Sequence, residues 1–302
     1  PVQPPQPLNN QEQDLPLQPN QEIYENNQLY PSNTMQYSTH SGLQGTERTL
    51  FLTITCYPIQ YQPQQNQLLI NDQLDITINY ELPSQPIQYS DDYDLLIITP
   101  QKFESRLTPL VEHKNNIGTS TILKTLEDIY NEYTGRDNCE QIKYCIKDML
   151  DTHNIHYVLL IGGLDSYIYA IPRDNENEGN KDWHHPVRYS NLYDGGGTQD
   201  PGYISDLYFA DIYDGEGNFS TWDSNENDIF AEWRLASEKD IIDLYPDVHI
   251  GRLACRNGWE VKTCVNKIIA YESTPADPSW FNQMVVVGSD TFDDVGSHNY
   301  YE

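Results

Sequence analysis

The chain has 302 residues, with 46 acidic and 17 basic side chains, which gives it a formal charge of −29 at pH 7. A surface this negative excludes a protein that holds nucleic acid or anionic lipid through a broad basic face. No apolar run approaches the roughly 20 residues that a membrane-spanning helix needs, so we expect no span in this chain. Hydrophobic side chains make up 37% and include 23 Tyr, and that content favours a folded core over a wholly disordered chain.

Residues 1–45 are predicted to be a poorly ordered arm. Pro, Gln and Asn dominate up to Ser41 and no apolar period appears, which is typical of extended linkers and tails. The sequence begins at Pro1, with neither an initiator Met nor a visible secretion signal, so we expect a processed or excerpted piece of a longer protein. The missing signal therefore says little about the compartment.

Residues 46–85 are predicted to form a small antiparallel β unit, followed by a linker up to residue 92. Apolar and polar side chains alternate over residues 50–57 and again over residues 74–81, which is the period of two that strands show. Proline residues and an Asn-Asp pair between the two runs indicate turns. Cys56 falls on the inward-facing positions of the first run, and we expect it to be buried.

Residues 93–302 change to alternating strands and helices. Short and mostly apolar segments predict buried strands at residues 94–99, 121–123, 156–161 and 283–288. Helical spacing of apolar residues is clearest over residues 142–150, and Asn257 with Glu260 resembles a capping box. This order predicts an α/β fold, an open parallel sheet with helices on both faces. Since no helix follows the last strand, we expect the fold to be incomplete.

Few side chains in this α/β unit have sequence neighbours that would make them catalytic groups. No phosphate-binding glycine fingerprint occurs, so nothing supports nucleotide binding. Cys145 and Cys264 fall on the apolar stripes of their helices, which predicts core positions, and Cys139 stands at a helix start. Cys255 follows a strand between two arginines, an electropositive setting for a thiol, and His249 lies six residues upstream. A complete enzyme with Cys255 as its nucleophile is therefore one hypothesis.

An acidic loop within a long insertion at residues 174–243 is the candidate metal site. Asp223, Asn225 and Asn227 alternate along it, and Glu232 follows. Alternate short oxygen side chains can wrap a hard cation, as the first positions of an EF-hand loop do, although the glycine expected next is absent. The sequence thus predicts calcium at this loop, and a solvated acidic loop without metal is the alternative.

Three segments together resemble one family of peptidases. They are SDLYFAD at residues 205–211, PDVHIGR at residues 246–252 and NKIIAYE at residues 266–272. These segments are similar to those of the gingipain-type cysteine peptidases, which have a caspase-like fold. Residues 57–80 resemble the end of the β pro-domain that precedes the peptidase unit in many members. The resemblance covers residues 46–302.

The resemblance implies hydrolysis of peptide bonds by a Cys/His dyad, with a protein or peptide as substrate. The family's His lies in a His-Gly segment and its Cys ends the strand after that. Since this sequence contains no His-Gly pair, the dyad is expected beyond residue 302. By its position in the sequence, Asp290 corresponds to a carboxylate that supports the site in the family. Glu302 corresponds to a position near the pocket for the residue before the scissile bond. Calcium sites are common in the family, which adds to the prediction for the loop of Asp223.

The leading hypothesis is the front part of a secreted or cell-surface, gingipain-like cysteine endopeptidase that is inactive on its own. The alternative, from another class, is a non-catalytic, acidic, calcium-binding surface or adhesion module with the same fold. The sequence beyond residue 302 would distinguish them. A His-Gly segment followed by a strand-end Cys supports the peptidase, and the absence of both supports the module.

Overall fold

A four-stranded parallel sheet forms the centre of the α/β part of the chain. The computed structural model describes residues 21–81, 93–165, 183–193, 204–234, 239–274 and 283–286. The strands are β1 Met35–Gln44, β2 Glu47–Cys56, β3 Ile59–Gln62, β4 Gln67–Ile70, β5 Leu95–Thr99, β6 Thr121–Thr125, β7 Tyr157–Ile161, β8 Asn191–Tyr193, β9 Glu232–Arg234 and β10 His249–Leu253. The helices are α1 Gln21–Tyr24, α2 Gln101–Asn116, α3 Leu126–Glu132, α4 Asn138–His153 and α5 Gly258–Ser273, with 3₁₀ turns at Pro63–Gln65 and Asp206–Phe209. None of these helices is long and apolar enough to cross a membrane.

The central sheet has the strand order β10-β7-β5-β6, and its three neighbouring pairs are all parallel. β5 reads LLIIT and is buried throughout, because helices cover both faces of the sheet. Its side chains alternate between two hydrophobic clusters: Leu95 and Ile97 belong to one, and Leu96 and Ile98 belong to the other. The α/β fold class predicted from the sequence is therefore confirmed.

Each face of the sheet carries its own pair of helices. On one face α2 packs against α5, and Phe103, Leu107 and Val261 fill the space between them and the sheet. On the other face α3 packs against α4, where Ile142 and Tyr208 belong to the larger cluster. Burying apolar side chains in this way stabilises the fold by about 1.5–3 kcal/mol for each fully buried large residue.

The predicted capping pair is present at the start of α5. Asn257 Oδ1 accepts hydrogen bonds from the backbone amides of Trp259 and Glu260, each at 3.0 Å. The Glu260 carboxylate in turn accepts from the backbone amide of Arg256 at 2.8 Å. A cap of this kind contributes about 1 kcal/mol. It also fixes how the chain turns from β10 into α5.

The N-terminal hairpin differs from the sequence prediction. β1 and β2 pair antiparallel, from Met35 opposite Cys56 to Gln44 opposite Glu47. Part of the arm predicted over residues 1–45 is therefore a strand, because hydrogen bonds to β2 organise it although its own composition shows no apolar period. Cys56 is exposed rather than buried, since it lies at the open end of the hairpin.

The hairpin packs against the segment that leads into β10. The rings of His40 and Tyr245 stack with their centroids 4.7 Å apart. Ser41 Oγ donates to Asp247 Oδ1 at 2.9 Å. Aromatic and hydrogen-bond contacts thus join the β unit to the α/β unit.

The second predicted strand of the β unit is not a strand. β3 and β4 form a short hairpin instead, joined by a 3₁₀ turn. The alternating run at residues 74–81 has no regular structure, and Leu74, Ile76 and Ile78 are exposed. Alternation marks a segment that can be a strand, but no described strand pairs with this one, and an isolated strand has no ladder to stabilise it.

The strand predicted at residues 283–288 falls only partly within the described residues. Residues 283–286 have no regular structure, and the side chains of Met284, Val285 and Val286 are 79–88% exposed. The prediction of a buried strand is wrong for these four residues. An apolar run predicts burial, but a strand also needs a neighbour, and no strand in the described part of the chain pairs with this run.

Candidate functional site

The carboxyl ends of the parallel strands form the edge at which an α/β fold carries its binding or catalytic groups. Here β7 runs into Gly162 and Gly163, and β10 leads to Ala254 and Cys255. A Cβ on Gly163 would lie 2.4 Å from the backbone oxygen of Ala254. The Gly163 amide donates to the backbone oxygen of Cys255 at 2.9 Å. Glycine is therefore required where these two strands leave the sheet.

Arg252 of β10 forms bonds across this edge. Its Nε and Nη2 donate to the two carboxylate oxygens of Asp206 at 2.8 and 2.7 Å. Its Nη1 donates to the backbone oxygens of Gly162 at 2.9 Å and His185 at 3.1 Å, and Nη2 donates to that of Pro186 at 3.0 Å. The planar guanidinium fork suits such a bidentate pair. One side chain thus joins the SDLYFAD and PDVHIGR segments to the end of β7.

Asp247 is a second link between the same two segments. Its Oδ2 accepts from the backbone amides of Ile212 and Tyr213, each at 2.8 Å, and its own amide donates to the backbone oxygen of Ala210 at 2.8 Å. Burial raises the pKa of the Asp247 carboxyl, and the hydrogen bonds from Tyr213, Ser41 and Ile212 act in the opposite sense. The carboxylate therefore holds the hairpin and residues 212–213 against the segment that leads into β10.

Two adjacent histidines lie at the carboxyl edge. His184 Nδ1 is 2.7 Å from Lys102 Nζ, and His184 Nε2 is 2.7 Å from the backbone oxygen of Arg256. His185 is fully buried. Burial lowers the pKa of His185 well below its ordinary value, and the charge of Arg252 lowers it further. His184 is thus oriented by a lysine and a carbonyl, and His185 is a neutral core imidazole at pH 7.

A cleft of about 300 Å³ opens beside His184. It is lined by Pro100, Lys102, Leu126, Glu127, Tyr130, Asn138, Trp183, His184 and Pro186. Glu127 Oε2 accepts from the Gln101 amide at 2.8 Å, so the carboxylate is engaged at the start of α2. The cleft combines an ammonium, a carboxylate and an imidazole with apolar walls. A larger groove, of about 670 Å³, lies along α4 and the loop that precedes it.

Cys255 does not have the environment of a nucleophile. Its residue is buried, and its Sγ lies 3.7 Å from Cys264 Sγ. Burial and then the neighbouring thiol raise the pKa of Cys255 to about 12, so the thiolate is absent at neutral pH. The flanking arginines bind carboxylates instead, Arg252 that of Asp206 and Arg256 that of Glu260. The geometry gives no support to the hypothesis of a nucleophilic Cys255.

The four residues of the predicted calcium loop lie together. Glu232 Oε2 accepts from the side-chain amides of Asn227 at 3.0 Å and Asn225 at 3.5 Å, while their own side-chain oxygens accept from backbone amides. Asp223 Oδ2 accepts from Arg136 Nη1 at 2.5 Å. In this arrangement the donor set does not fit calcium, which needs oxygen atoms turned toward it. Among the described residues no group of three or more His, Cys, Asp or Glu side chains could hold a metal, and calcium at this loop stays a prediction.

Sequence patterns did not reveal two buried cations. Arg188 is fully buried and donates from Nη1 and Nη2 to the Asp137 carboxylate at 2.7 and 2.9 Å. Lys143 of α4 is fully buried, donates to the backbone oxygen of Ser220 and lies 4.4 Å from the centroid of the Tyr208 ring. Lys143 lies next to the apolar stripe of α4, and the spacing of the apolar residues gives no indication that this lysine is buried. The sequence indicates that cations are buried here only through the many acidic residues of the segments that pack against them.

Comparison with known proteins decides the family. A sequence profile described as Peptidase family C25 matches residues 88–302, which is most of the chain. The chain belongs to peptidase family C25. The two segments that Arg252 joins both lie within the matched region.

One curated relative is Gingipain R2 from Porphyromonas gingivalis (strain ATCC BAA-308 / W83). It is 23% identical to this C25 chain over 216 residues, which cover 71% of this chain and 22% of the relative. The chain thus spans about a fifth of the length of the curated relative it matches.

Two solved structures from Porphyromonas gingivalis are also similar to this chain. The complex of RgpB pro- and mature domains is 20% identical, with a TM-score of 0.34, and covers 59% of this chain and 29% of that one. Dimeric latent PorU is 15% identical, with a TM-score of 0.40, and covers 79% of this chain and 22% of that one.

The two carboxylates carried over from the C25 resemblance lie outside the described residues. Asp290 and Glu302 both follow residue 286, the last that the structure describes. Their roles, as a support for the site and as part of a substrate pocket, stay predictions.

Proposed function

We propose that this chain is the front part of a gingipain-like cysteine endopeptidase that hydrolyses peptide bonds in protein substrates. The observation that carries the proposal is the match to peptidase family C25 across residues 88–302. The similarity to Gingipain R2 over 71% of this chain supports it further. The same resemblance supports a secreted or cell-surface location for the whole protein.

The proposed chemistry needs a thiolate and an imidazole that share a proton. The thiolate attacks the peptide carbonyl, the imidazole passes the proton to the leaving amine, and water then hydrolyses the acyl-enzyme with the same base. We place this dyad outside the present sequence. In support, Cys255 is a buried thiol paired with Cys264, and His184 is engaged by Lys102 and a backbone carbonyl.

The described residues contribute a scaffold to this proposal. Arg252 fixes the turns at the carboxyl edge, where the cleft beside His184 also opens, and Asp247 anchors the segment that enters β10 at its other end. Rigid support of this kind keeps a substrate groove in its productive geometry. In the proposal Asp290 supports the dyad, and Glu302 contributes to the pocket for the residue before the scissile bond.

The test compares two proteins, the present chain and the product of the same gene extended beyond residue 302. Both are assayed for hydrolysis of a fluorescent casein, with and without prior treatment by iodoacetamide. We expect no hydrolysis by the present chain, and hydrolysis by the extended protein that iodoacetamide abolishes. The extended protein with its strand-end Cys changed to Ala serves as the matched control.

Two outcomes would overturn the proposal. Casein hydrolysis by the present chain, lost on alkylation, would place the catalytic thiol within residues 1–302. An extended protein that folds but hydrolyses neither casein nor a mixed peptide library would favour the non-catalytic surface module.

A further inference from the structure

Two thiols face each other where β10 turns into α5. Cys255 lies just beyond β10 and Cys264 lies on α5, and their sulfur atoms are 3.7 Å apart. Cys255 is buried, whereas Cys264 is partly exposed. Both belong to the apolar cluster that α2, α5 and the sheet enclose. The pair therefore combines close sulfur atoms with one side open to solvent.

The backbone on both sides of this pair is held in place. The Cys255 amide donates to the backbone oxygen of Leu253 at 2.7 Å, and its oxygen accepts from Gly163 at 2.9 Å. Asn257 caps α5 through two backbone amides. A disulfide requires the sulfur atoms to approach from 3.7 Å to about 2.05 Å.

We propose that Cys255 and Cys264 form a reversible disulfide when the protein meets a peroxide, and that this bond fastens the end of β10 to α5. The inference is independent of the proposed peptidase activity, since neither thiol is assigned to the dyad. In the described part of the chain this is the one thiol pair with a sulfur–sulfur contact.

The difference in exposure sets the order of the steps. The sulfur of Cys264, the more exposed of the two residues, attacks a peroxide oxygen; the O–O bond breaks, one water leaves, and a sulfenic acid remains. The sulfur of Cys255 then attacks the Cys264 sulfur, the S–O bond breaks, and the departing hydroxide takes the Cys255 proton as a second water. Two electrons pass from the thiols to the peroxide, and reduction by a dithiol reverses the bond. Burial raises the pKa of the Cys255 thiol to about 12, so this thiol does not react with the peroxide itself and gives up its proton only as the S–O bond breaks.

The bond would act on the carboxyl edge of the sheet. The turn that it closes contains Arg256, whose backbone oxygen is 2.7 Å from His184 Nε2. A crosslink across this turn restricts how far β10 and α5 can separate, so the oxidised form resists unfolding more than the reduced form.

Peptide mapping tests the bond directly. The folded chain is treated with hydrogen peroxide, its free thiols are blocked with iodoacetamide, and it is digested with trypsin. Cleavage after Arg252, Arg256, Lys262 and Lys267 separates residues 253–256 from residues 263–267, so a disulfide joins two short peptides that dithiothreitol releases. We expect this linked pair, with the other three of the five cysteines still alkylated.

Variants and thermal unfolding complete the test. The Cys264→Ala variant should lose the linked peptides and the rise of several degrees in Tm that oxidation produces in the unaltered chain. The Cys56→Ser variant, changed at an exposed cysteine on the hairpin, should keep both. Recovery of Cys255 as an alkylated thiol after peroxide treatment, or of Cys264 as a sulfinic acid without a link, would overturn the proposal.

Discussion

Arg252 and Asp206 form a bidentate ion pair, with nitrogen–oxygen distances of 2.8 and 2.7 Å. The two residues belong to different segments of the C25 resemblance and lie 46 positions apart in the chain. The same guanidinium donates to three backbone carbonyls at the end of β7 and in the loop of Pro186. It therefore sets the shape of the carboxyl edge, beside which the candidate cleft opens.

Replacing Arg252 by Lys should destabilise the chain although the charge is kept. A single ammonium cannot reproduce a fork that reaches a carboxylate and three carbonyls, so we expect a loss of about 2 kcal/mol in the free energy of unfolding. Urea unfolding followed by far-UV circular dichroism measures it. The matched control is Arg256→Lys, whose partly exposed pair with Glu260 should change the value by less than about 0.5 kcal/mol. Equal losses in the two variants would contradict the role given to Arg252.

A methyl group on Gly215 should separate the hairpin β1–β2 from the α/β unit. A Cβ there would lie 1.7 Å from the backbone oxygen of Thr39 on β1, and overpacking of this kind costs about 1–3 kcal/mol. Tryptic cleavage after Arg48, the one Lys or Arg in residues 1–101, reports the exposure of the hairpin. We expect faster cleavage in Gly215→Ala than in the unaltered chain. Gly251→Ala is the control, since its nearest neighbour is Leu159 Cδ1 at 4.0 Å, and a similar rate in both variants would refute the contact.

Asp211 should make the chain less stable as the pH rises from about 4 to about 7. Burial raises the pKa of this carboxyl from 3.8 to about 7 in the folded chain, so folding takes up a proton in this window. The contribution to stability is fully present below the unfolded pKa and is lost as pH approaches the folded one, with a slope of at most about 1.4 kcal/mol per pH unit. Lys143, whose pKa burial lowers to about 7, stays mostly protonated below about pH 6, so the slope of Asp211 is measured there.

The Asp211→Asn variant isolates that slope. Asn keeps an acceptor for Trp222 Nε1, which donates to Asp211 Oδ2 at 2.6 Å, but it carries no titrating proton. Urea unfolding at several pH values should give a flatter profile for this variant than for the unaltered chain. Asp75→Asn, at an exposed position, should leave the profile as it was. An unchanged slope in Asp211→Asn would show that other groups carry the pH dependence.

Removing Arg136 should make the acidic loop more receptive to calcium. The Arg136→Met variant leaves the buried Asp223 carboxylate without the guanidinium that contacts it at 2.5 Å, and an unpaired buried charge is costly. We expect millimolar calcium to raise the Tm of Arg136→Met more than that of the unaltered chain, because binding to the folded state stabilises it. The double variant with Asp223→Asn should lose this response. Equal shifts in all three proteins would exclude calcium from this loop.

The sequence predicts the α/β core because each of its elements carries a local pattern. β5 is a continuous apolar run, α4 has apolar residues at helical spacing, and Asn257 precedes a glutamate at the capping position. These signals arise from neighbours a few residues apart along the chain.

The remaining features depend on partners that are distant in sequence. β1 is a strand because β2 pairs with it, and the alternating run at residues 74–81 is not a strand because no described strand does. The five bonds of Arg252 end on residues 46 to 90 positions away. No local pattern encodes such contacts, although the resemblance of both segments to one family placed them in the same unit.

A Cys255→Ser variant, made in the protein extended beyond residue 302 and assayed for peptidase activity, separates a structural role of this cysteine from a catalytic one. We propose that the carboxyl edge is a scaffold and that the catalytic thiol is another cysteine. This proposal predicts a kcat/KM within about twofold of the unaltered extended protein, with inhibition by iodoacetamide retained. A loss of about a thousandfold or more, as removal of a nucleophile causes, would contradict it.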